Sequence, residues 1–386
     1  MKIGFDISQT GPAKAGCGYF ASNLIAHLTQ VDHSNQYALL PTFGDHFWDK
    51  NYKKTFKTPL ANFQREFHHR SLSQAQTFWR GNSDAIEKQF SGLDILHCNN
   101  FFCPPKLKTP RLVYTLYDLS FIEYPDCMTE HNRIASFDGV FKASLNADLI
   151  LAISEYTREH FLKTFPYFPA ERIKILHPAS RFTNATQIIQ PSKFNFLTTK
   201  QFWLNVGTIE PRKNIKRLLS VYAKLKKQNP DTYPLVLAGK QGWMEKIDLV
   251  INELGISKDV HVLGYVSDEE LQWLYQNCFC LVYPSLFEGF GLPVLEAMTL
   301  GAPVISSKIS SIPEITGNSA LLIQPQEENE LLYAMQIMSS DQSLREKLIK
   351  EGSEQAMQFS WQKSANLLLN FYQEVLSLPH RDSDSL

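Results

Sequence analysis

The stretch EGFGLPVLE, residues 288–296, determines how the rest of this sequence is interpreted. Its two carboxylates, Glu288 and Glu296, enclose a glycine-containing turn and the start of an apolar run. The preceding segment LVYPS (281–285) predicts a strand that stops at a proline, and the following segment GAPVI (301–305) predicts a helix stop and another strand. The order strand, loop, helix, strand is that of a βαβ unit.

The loop of this unit predicts an anion site. Backbone N–H groups at a helix N-terminus, together with the helix dipole, favour a negative charge. At about 3.6 residues per turn, Glu296 is expected roughly two turns into the helix, on a face similar to that of Glu288. Two carboxylates around such a turn suit a diphosphate flanked by hydroxyl groups, as in a sugar nucleotide. The alternative is that Glu288 caps the helix and Glu296 is a solvated helix residue.

The longer string EGFGLPVLEAM (288–298) resembles the E-x7-E motif of retaining glycosyltransferases of the GT4 family, which have the GT-B fold. The strings GAPVISS (301–307) and SIPEI (311–315) are similar to the same family. The resemblance implies transfer of a hexosyl group from a nucleoside diphosphate sugar to an acceptor hydroxyl, with retention. It also implies that Glu288 holds a sugar hydroxyl, that Glu296 holds the ribose and that backbone N–H groups in this loop stabilise the leaving diphosphate.

Length and composition indicate a two-domain globular protein and give no support for a nucleic-acid-binding, secreted or membrane-spanning one. The 386 residues, 44% of them hydrophobic, are enough for two domains with full cores. A formal net charge of -1 gives no argument for a nucleic-acid partner. Without a signal-peptide pattern or an apolar run near the roughly 18 residues of a membrane span, we expect a cytoplasmic protein with reduced thiols. The six cysteines form no zinc pattern. The Asp-x-Asp at 382–384 lies in the tail and no other is present in the sequence, so neither a metal nor a cofactor is expected beside the nucleotide sugar.

The first predicted βα unit contains a glycine-rich turn. A strand at 2–7 leads into a loop at 8–18, and helical spacing begins at Tyr19. Doubly wound sheets bind ligands at such a turn, although this one lacks the Lys-Ser/Thr of a Walker A motif. The residues alone leave turn geometry and ligand binding equally open. The resemblance implies that the loop, with Gly16 and Gly18, faces the donor phosphate and the acceptor.

The string YDLSF (117–121) follows a predicted strand at 111–116. The resembling family usually has HDLSF here, with the histidine near the transferred sugar. Tyr117 can hydrogen-bond a hydroxyl, but with an ordinary pKa of about 10 it does not carry a proton near neutral pH. Asp118 keeps the family match, and its alternative role is to cap the loop or the next helix. Both are catalytic candidates.

The string GTIEPRKN (207–214) follows a predicted strand at 202–206. Arg212 and Lys213 suit a diphosphate because Arg binds bidentately and Lys adds a point charge, although such pairs are often plain surface charge. The resemblance implies a diphosphate clamp. Many family members have Gly-Arg where this chain has Gly207-Thr208, so Arg212 is expected to substitute for that cation.

Two further strand ends complete the predicted donor site. A strand and turn at 235–239 contains Gly239 and is followed by Lys240, and both residues are expected to border the nucleotide. The resemblance implies that the loop with Val266, after a strand at 260–264, meets the base. The catalytic candidates are Glu288, Asp118, Tyr117, Arg212 and Lys213. The donor-binding candidates are Gly16, Gly18, Thr208, Gly239, Lys240, Val266, Gly289, Phe290, Gly291, Leu292 and Glu296.

The implied architecture is α/β, with two doubly wound, Rossmann-like domains facing a cleft. We expect an acceptor-binding domain at 1–180 and a polar linker at 181–197, followed by a nucleotide-sugar-binding domain at 198–360. A helix at 361–378 is expected to cross back to the N-terminal domain, and a tail at 379–386 to be disordered.

The sequence specifies the donor and the acceptor less closely than it specifies the fold. GKQGW (239–243) resembles mannosyltransferases that use GDP-mannose, while UDP-glucose-type and dTDP-rhamnose donors stay open. The acceptor is expected to be a glycan or lipid-linked intermediate of cell-surface polysaccharide or glycolipid synthesis. The basic, aromatic segment 50–80 is either a solvated variable region or an acceptor or anionic-membrane surface, peripheral at the inner membrane. Because Tyr117 replaces the usual histidine, the alternative is a non-catalytic sugar-nucleotide-binding protein. An NAD-dependent oxidoreductase is not supported, because no G-x-G-x-x-G motif with a downstream acidic partner follows a strand in this sequence.

Overall fold

The computed structural model describes residues 1–12, 14–45, 52–69, 71–184, 187–243 and 246–381. The chain divides into two compact units. Unit 1 comprises 1–123, 130–178 and the C-terminal segment from Ser360, and unit 2 comprises 124–129 and 179–359.

Unit 1 is built on a seven-stranded parallel sheet. Its strands are β1 (Lys2–Asp6), β2 (Gln36–Leu40), β3 (Phe63–Arg65), β4 (Ile95–Cys98), β5 (Arg111–Leu116), β6 (Leu149–Ala152) and β7 (Ile173–Ile175). The helices between them are α1 (Gly16–Val31), α2 (Leu72–Trp79), α3 (Ser83–Phe90), α4 (Ser120–Glu123), α5 (Glu130–Asn146) and α6 (Glu155–Thr164). The spatial order is β3-β2-β1-β4-β5-β6-β7, so the direction of winding reverses between β1 and β4.

Unit 2 repeats this plan with a six-stranded parallel sheet. Its strands are β8 (Trp203–Val206), β9 (Leu235–Ala238), β10 (Val260–Gly264), β11 (Cys280–Tyr283), β12 (Val304–Ser307) and β13 (Leu321–Ile323). Its helices are α7 (Ile215–Gln228), α8 (Ile247–Glu253), α9 (Asp268–Asn277), α10 (Leu292–Thr299), α11 (Ile312–Thr316), α12 (Glu328–Ser340) and α13 (Gln342–Ala356). The order β10-β9-β8-β11-β12-β13 places the switch point between β8 and β11.

The central strands are buried on both faces. Every residue of β8, β9 and β11 is buried, and apart from Asn205 of β8, whose amide donates to the carbonyl of Val282, these strands are apolar runs and not alternating patterns. Trp203, Val282 and Ile305 of the sheet share one core cluster with Leu218 of α7 and Met335 of α12. The predicted α/β fold with two doubly wound domains is therefore confirmed.

The last helix, α14 (Trp361–Ser377), packs in unit 1. Its first residue, Trp361, meets Phe20 of α1 edge-on at 5.7 Å. Near its end, the Tyr372 hydroxyl lies 2.6 Å from Nδ1 of His97, which belongs to β4. These contacts confirm the predicted return of the C-terminal helix.

Two predicted boundaries differ from the structure. The described residues of 181–197, which were predicted to be a linker, belong to unit 2, where Phe182, Phe194 and Leu197 are buried while Ile189 and Phe196 are exposed. The predicted disordered tail, 379–386, starts too early: the Arg381 N–H donates to the carboxylate of Asp148 at 2.9 Å. Residues 382–386 lie outside the described residues.

Candidate functional site

Two loops emerge side by side at the switch point of unit 2. β8 and β11 are adjacent and parallel, so the loops that follow them, 207–214 and 284–291, leave the same edge of the sheet. The Leu286 N–H donates to the carbonyl of Arg212 at 2.8 Å. The side-chain amide of Asn214 donates to the carbonyl of Pro284 at 3.1 Å. These bonds fix the two loops to each other.

The loops bring Arg212, Lys213 and Glu288 together. The Lys213 ammonium lies 2.7 Å from Oε1 of Glu288, and Nη1 of Arg212 lies 3.1 Å from Oε2. Arg212 also pairs with Glu210 at 2.6 Å and donates to the carbonyl of Phe287 at 2.7 Å. The sequence predicted these three residues as catalytic candidates, and the structure places them in one cluster. Glu288 is thus an ion-pair partner and not a helix cap.

Glu288 is held ionised. Its side chain is buried, and burial alone would raise the pKa of its carboxyl group. The neighbouring Lys213 and Arg212 charges outweigh burial and lower the pKa of Glu288 to about 2. A carboxylate in this state accepts hydrogen bonds and carries no proton to donate near neutral pH.

Tyr283 is a member of this cluster that sequence reasoning missed. Its hydroxyl lies 2.5 Å from the Lys213 ammonium, which also sits over the Tyr283 ring at 5.0 Å from the centroid. Burial raises the pKa of Tyr283 well above its ordinary value, so the hydroxyl stays neutral. Its place as the last residue of β11, directly before the loop, was the available signal.

The loop of the E-x7-E motif ends at a glycine that the fold requires. Gly291 has φ 111°, and a Cβ there would lie 2.6 Å from the side chain of Ile312. Helix α10 begins only at Leu292, so Glu296 is its fifth residue, just over one turn in, and not two turns as predicted. Gly289 and Phe290 are buried in the loop. The Ser311 hydroxyl braces the loop, because it lies within hydrogen-bond distance of the carbonyls of Phe290, at 2.7 Å, and Glu288, at 2.9 Å. That the N–H groups of 289–292 bind a diphosphate stays a prediction.

Glu296 is a buried residue with partners of its own. It is 2% exposed, so the alternative of a solvated helix residue is wrong. Its Oε1 lies 2.9 Å from Nε of Arg181, and its Oε2 accepts from the Tyr275 hydroxyl at 3.2 Å. Burial raises the pKa of Glu296, and the Arg181 charge offsets part of that effect. The two motif carboxylates therefore form two separate ion-pair clusters, one around Lys213 and one around Arg181.

The remaining donor candidates of unit 2 lie at successive strand ends. Gly239, with φ 159°, follows β9, and a Cβ there would lie 1.8 Å from the carbonyl of Gly207, so the two turns pack backbone to backbone. Lys240 is exposed, with its ammonium over the Tyr265 ring at 4.9 Å from the centroid. Thr208 is exposed after β8 and Val266 is buried after β10. The structure thus lines these candidates along the carboxyl edge of β8, β9 and β10.

In unit 1, Gly16 and Gly18 belong to a helix and not to the loop predicted at 8–18. Helix α1 begins at Gly16, three residues before the predicted start. A Cβ at Gly18 would lie 2.2 Å from the carbonyl of Gln9, so glycine lets the helix pack against the preceding loop. Packing against the preceding loop therefore explains why residue 18 is a glycine. A donor-binding role for either glycine stays a prediction.

Tyr117 and Asp118 make local bonds in unit 1. The buried Tyr117 hydroxyl donates to the carbonyl of Asn99 at 2.8 Å and reaches that of Cys17 at 3.3 Å. Burial raises its pKa well above the ordinary value. Asp118 accepts from the backbone N–H of Ser120 at 2.9 Å and from its hydroxyl at 2.7 Å, at the start of α4. This is the capping alternative for Asp118, and a catalytic role for either residue stays a prediction.

A buried polar chain at the switch point of unit 1 was not predicted. Asp6, at the end of β1, accepts from the N–H groups of Ser8 and Asn99 at 2.8 and 3.1 Å. Thr115 donates to the side chain of Asn99 at 2.9 Å and lies 2.9 Å from Nε2 of His97. Asp6 and His97 occupy strand positions within apolar runs, where sequence gives little reason to expect a polar network.

The basic segment 50–80 is only partly a surface. Lys50 and Arg70 lie outside the described residues. Phe63 and Trp79 are buried in unit 1, while Phe67 is 45% exposed. Within the described ranges, no helix is both long and apolar enough to cross a bilayer, and no cluster of three His, Cys, Asp or Glu side chains has the arrangement of a metal site.

Sequence comparisons relate this chain to known glycosyltransferases. Residues 187–355 match the family model described as glycosyl transferases group 1. The chain is 34% identical over 288 residues to the O-antigen chain mannosyltransferase B of Escherichia coli, covering 72% of this chain and 74% of that protein.

Two solved structures share the architecture. The structure of Anabaena HepE in complex with UDP and glucose superposes with a TM-score of 0.72 at 18% sequence identity. The superposition covers 97% of this chain and 100% of the HepE chain. WaaG, a glycosyltransferase involved in lipopolysaccharide biosynthesis, gives a TM-score of 0.70 at 16% identity, covering 96% and 99% of the two chains. At these identities the two structures support the fold, which is GT-B. The motif, the fold and the sequence relationships together show that this chain belongs to the group 1 glycosyltransferases.

Proposed function

We propose that this glycosyltransferase moves a mannosyl group from GDP-mannose to an acceptor hydroxyl, with retention and without a metal ion. The name of the E. coli relative supports mannose as the sugar. The UDP bound in HepE keeps uridine donors as the competing proposal.

The observation that carries the proposal is the cluster of Arg212, Lys213 and Glu288 at the unit 2 switch point. Open α/β sheets bind ligands at this position. When the sugar leaves, negative charge builds up on the diphosphate, and two cations fixed directly before the N-terminus of α7 can stabilise that charge. Because both cations are already held by Glu210 and Glu288, little reorganisation is needed when the donor arrives.

The state of Glu288 restricts its role. Its low pKa excludes it as a proton donor near neutral pH, and both of its oxygens are engaged by cations. In our proposal Glu288 accepts a hydrogen bond from a sugar hydroxyl and orients the two cations. The leaving phosphate itself takes the proton of the acceptor hydroxyl on the same face.

The nucleoside is assigned to the other carboxylate. We propose that Glu296 binds the ribose hydroxyls, as the E-x7-E motif implies, and that the turn with Val266 meets the base. Both lie at the carboxyl edge of the unit 2 sheet, after β11 and β10 respectively. Gly239 and Lys240, after β9, complete this donor side.

We assign the acceptor, a glycan or a lipid-linked intermediate of surface-polysaccharide synthesis, to unit 1. Contact of the basic segment around Lys53, Lys54 and Lys57 with anionic lipid is part of this proposal. Sedimentation with phosphatidylglycerol vesicles tests that contact, using a variant with these three lysines changed to glutamine. Equal sedimentation of variant and wild type, or none of either, would remove the membrane from the proposal.

The donor is tested by a panel of GDP-, UDP-, dTDP- and ADP-sugars. Calorimetry measures binding and nucleotide release measures slow hydrolysis, both with EDTA present. We expect GDP-mannose to bind and to release GDP. Preference for a UDP-sugar would overturn the donor, a requirement for added metal would overturn metal independence, and binding without release in the presence of lipid extracts would favour a non-catalytic protein.

A further inference from the structure

Arg181 connects two parts of the proposed nucleoside site. It lies at the start of unit 2, three residues after the chain leaves unit 1 at Pro178. Its Nε lies 2.9 Å from Oε1 of Glu296, and its Nη2 lies 3.4 Å from Oε2. Its Nη1 donates to Oδ1 of Asp268 at 3.0 Å. Asp268 opens α9 two residues after Val266, so one guanidinium joins the ribose side to the base side.

Arg181 is itself held in position. Its guanidinium lies over the ring of Phe182 at 5.0 Å from the centroid, and Phe182 packs edge-on against Tyr275 at 6.2 Å. Tyr275 in turn donates its hydroxyl to Glu296 at 3.2 Å. The Arg181 side chain is only 16% exposed. Planar, multiply bonded contacts of this kind suit arginine and are not reproduced by the point charge of lysine.

We propose that Arg181 is a positioning residue that makes the enzyme selective for a ribonucleoside in its donor. It fixes the carboxylate of Glu296 in the orientation that accepts hydrogen bonds from the ribose hydroxyls. It also ties that carboxylate to the turn that meets the base. The inference rests on the proposed function, in which Glu296 binds the ribose.

The physical argument is that Glu296 is buried and that, among its described contacts, the Tyr275 hydroxyl is the other group that bonds its carboxylate. A buried carboxylate without a cation is costly, and it lowers this cost by changing rotamer or taking up a proton. Either change would remove an acceptor that the ribose hydroxyls require. Loss of Arg181 should therefore weaken binding of a nucleotide that has those hydroxyls and spare one that lacks them.

The test is calorimetric binding of GDP and 2′,3′-dideoxy-GDP to the full-length wild-type protein and to Arg181→Met. We expect the wild type to bind GDP about 10-fold or more tightly than the dideoxy analogue, since hydrogen bonds to a charged group discriminate on this scale. In Arg181→Met this preference should fall below about 3-fold, mainly because GDP affinity is lost. Glu296→Gln should behave in the same way, and Arg181→Lys should be intermediate.

Lys193→Met is the matched control. Lys193 also lies over the ring of the following residue, Phe194, at 5.1 Å, and pairs with Glu270 of α9 at 2.7 Å, but it has no contact with Glu296 among those described. This variant should keep the full preference for GDP. Thermal unfolding of each variant shows whether it is folded, and Arg181→Lys with Tyr275→Phe carry the test if Arg181→Met is not.

The outcomes separate this inference from the proposed function. Equal loss of both nucleotides in Arg181→Met, or an unchanged preference for GDP, would overturn the positioning role. If the wild type binds UDP and not GDP, the same comparison is made with 2′,3′-dideoxy-UDP. If the wild type binds no nucleoside diphosphate, the proposed function itself fails.

Discussion

The two switch points of this protein have the same topology but different electrostatics. In unit 2 the edges of β8 and β11 carry paired charges, with Glu288 between Arg212 and Lys213. In unit 1 the edges of β1 and β4 carry Asp6 and His97, joined through neutral hydrogen-bonding groups. The same topology therefore carries a cluster of paired charges in unit 2 and a buried polar network in unit 1.

The pKa values express this difference. Charged partners hold the pKa of Glu288 at about 2, below its ordinary value. For Asp6, burial outweighs the hydrogen bonds from Ser8 and Asn99 and raises its pKa to about 7. Burial also lowers the pKa of His97 to about 3. Burial is common to both switch points, and what differs is whether cations accompany the carboxylate.

The largest expected effect is at Lys213. Removing one fixed group that stabilises transition-state charge typically lowers turnover by about 10²–10³-fold, and we expect this from Lys213→Ala. Donor turnover, measured as GDP released from GDP-mannose with acceptor present, checks it. Lys224→Ala is the control, because Lys224 lies in the same unit and pairs with Glu328 at an exposed site. Similar losses in both variants would show that the position of the cation is unimportant.

Glu288→Gln should separate binding from turnover. Without the Glu288 carboxylate, Lys213 and Arg212 lose the anion between them, although Arg212 keeps its pair with Glu210, so GDP should bind as tightly as in the wild type or more tightly. Turnover should nevertheless fall by roughly 10²-fold, because the proposed contact with the sugar hydroxyl is weakened and the cations are no longer oriented. Calorimetry and turnover on the same preparation measure the two effects. A parallel loss of both would argue against Glu288 acting on the sugar.

Asp6 predicts a pH dependence of stability specific to unit 1. Its folded pKa of about 7 lies above its ordinary value of 3.8, so the unfolded chain releases this proton first as the pH rises. The group therefore lowers stability progressively between pH 3.8 and about 7, and not beyond. Asp6→Asn should lose this dependence. The unfolding free energy of the variant, relative to that of the wild type, should therefore rise by roughly 2–4 kcal/mol as the pH is raised from about 4.5 to about 7.5. Urea unfolding at both pH values measures it, and a constant difference would contradict the raised pKa.

Glu288 has the opposite sign. Its folded pKa of about 2 lies below its ordinary value of 4.5, so it contributes stability above pH 4.5 that is lost as the pH falls through that range to about 2. It gives no dependence between pH 5 and 8. A stability change in that neutral range that disappears in Glu288→Gln would show that the cations do not control this carboxylate.

The smallest expected effect is at Tyr117, which the sequence suggested as catalytic. Tyr117→Phe removes the hydroxyl that donates to the carbonyl of Asn99, so we expect a loss of about 1–2 kcal/mol in unfolding free energy. Turnover should change less than about 3-fold, because the hydroxyl is buried and points at backbone carbonyls. Steady-state kinetics and urea unfolding measure the two quantities. A loss of turnover above about 30-fold in a stable variant would restore the catalytic role.

Much of the fold was predictable because buried parallel strands have mostly apolar sequences. The strand at 111–116 and the helix after Ser360 were located closely. The segment 181–197 was predicted to be a linker because it is polar, but buried apolar residues, Phe194 among them, pack it into unit 2. Helix α10 was given too early a start because sequence does not show the left-handed backbone at Gly291.

The site was predictable where charge and turn chemistry meet in one motif. Arg212, Lys213 and Glu288 are distinctive because cations and a carboxylate follow strands next to glycines. Tyr283 and Arg181 were not predicted, since a tyrosine at a strand end and an arginine in a polar segment have many structural uses. Their roles depend on contacts between residues 70 and 115 positions apart, which only the fold provides.

The central claim is that the donor diphosphate binds at the charged switch point of unit 2. Calorimetric titration of GDP into wild type, into the double variant Arg212→Ala/Lys213→Ala and into Tyr117→Phe tests it most directly. We predict that the double variant loses about 100-fold or more in affinity, as expected for two charge-assisted contacts, while Tyr117→Phe binds like wild type. Unchanged GDP affinity in a folded double variant would contradict the account.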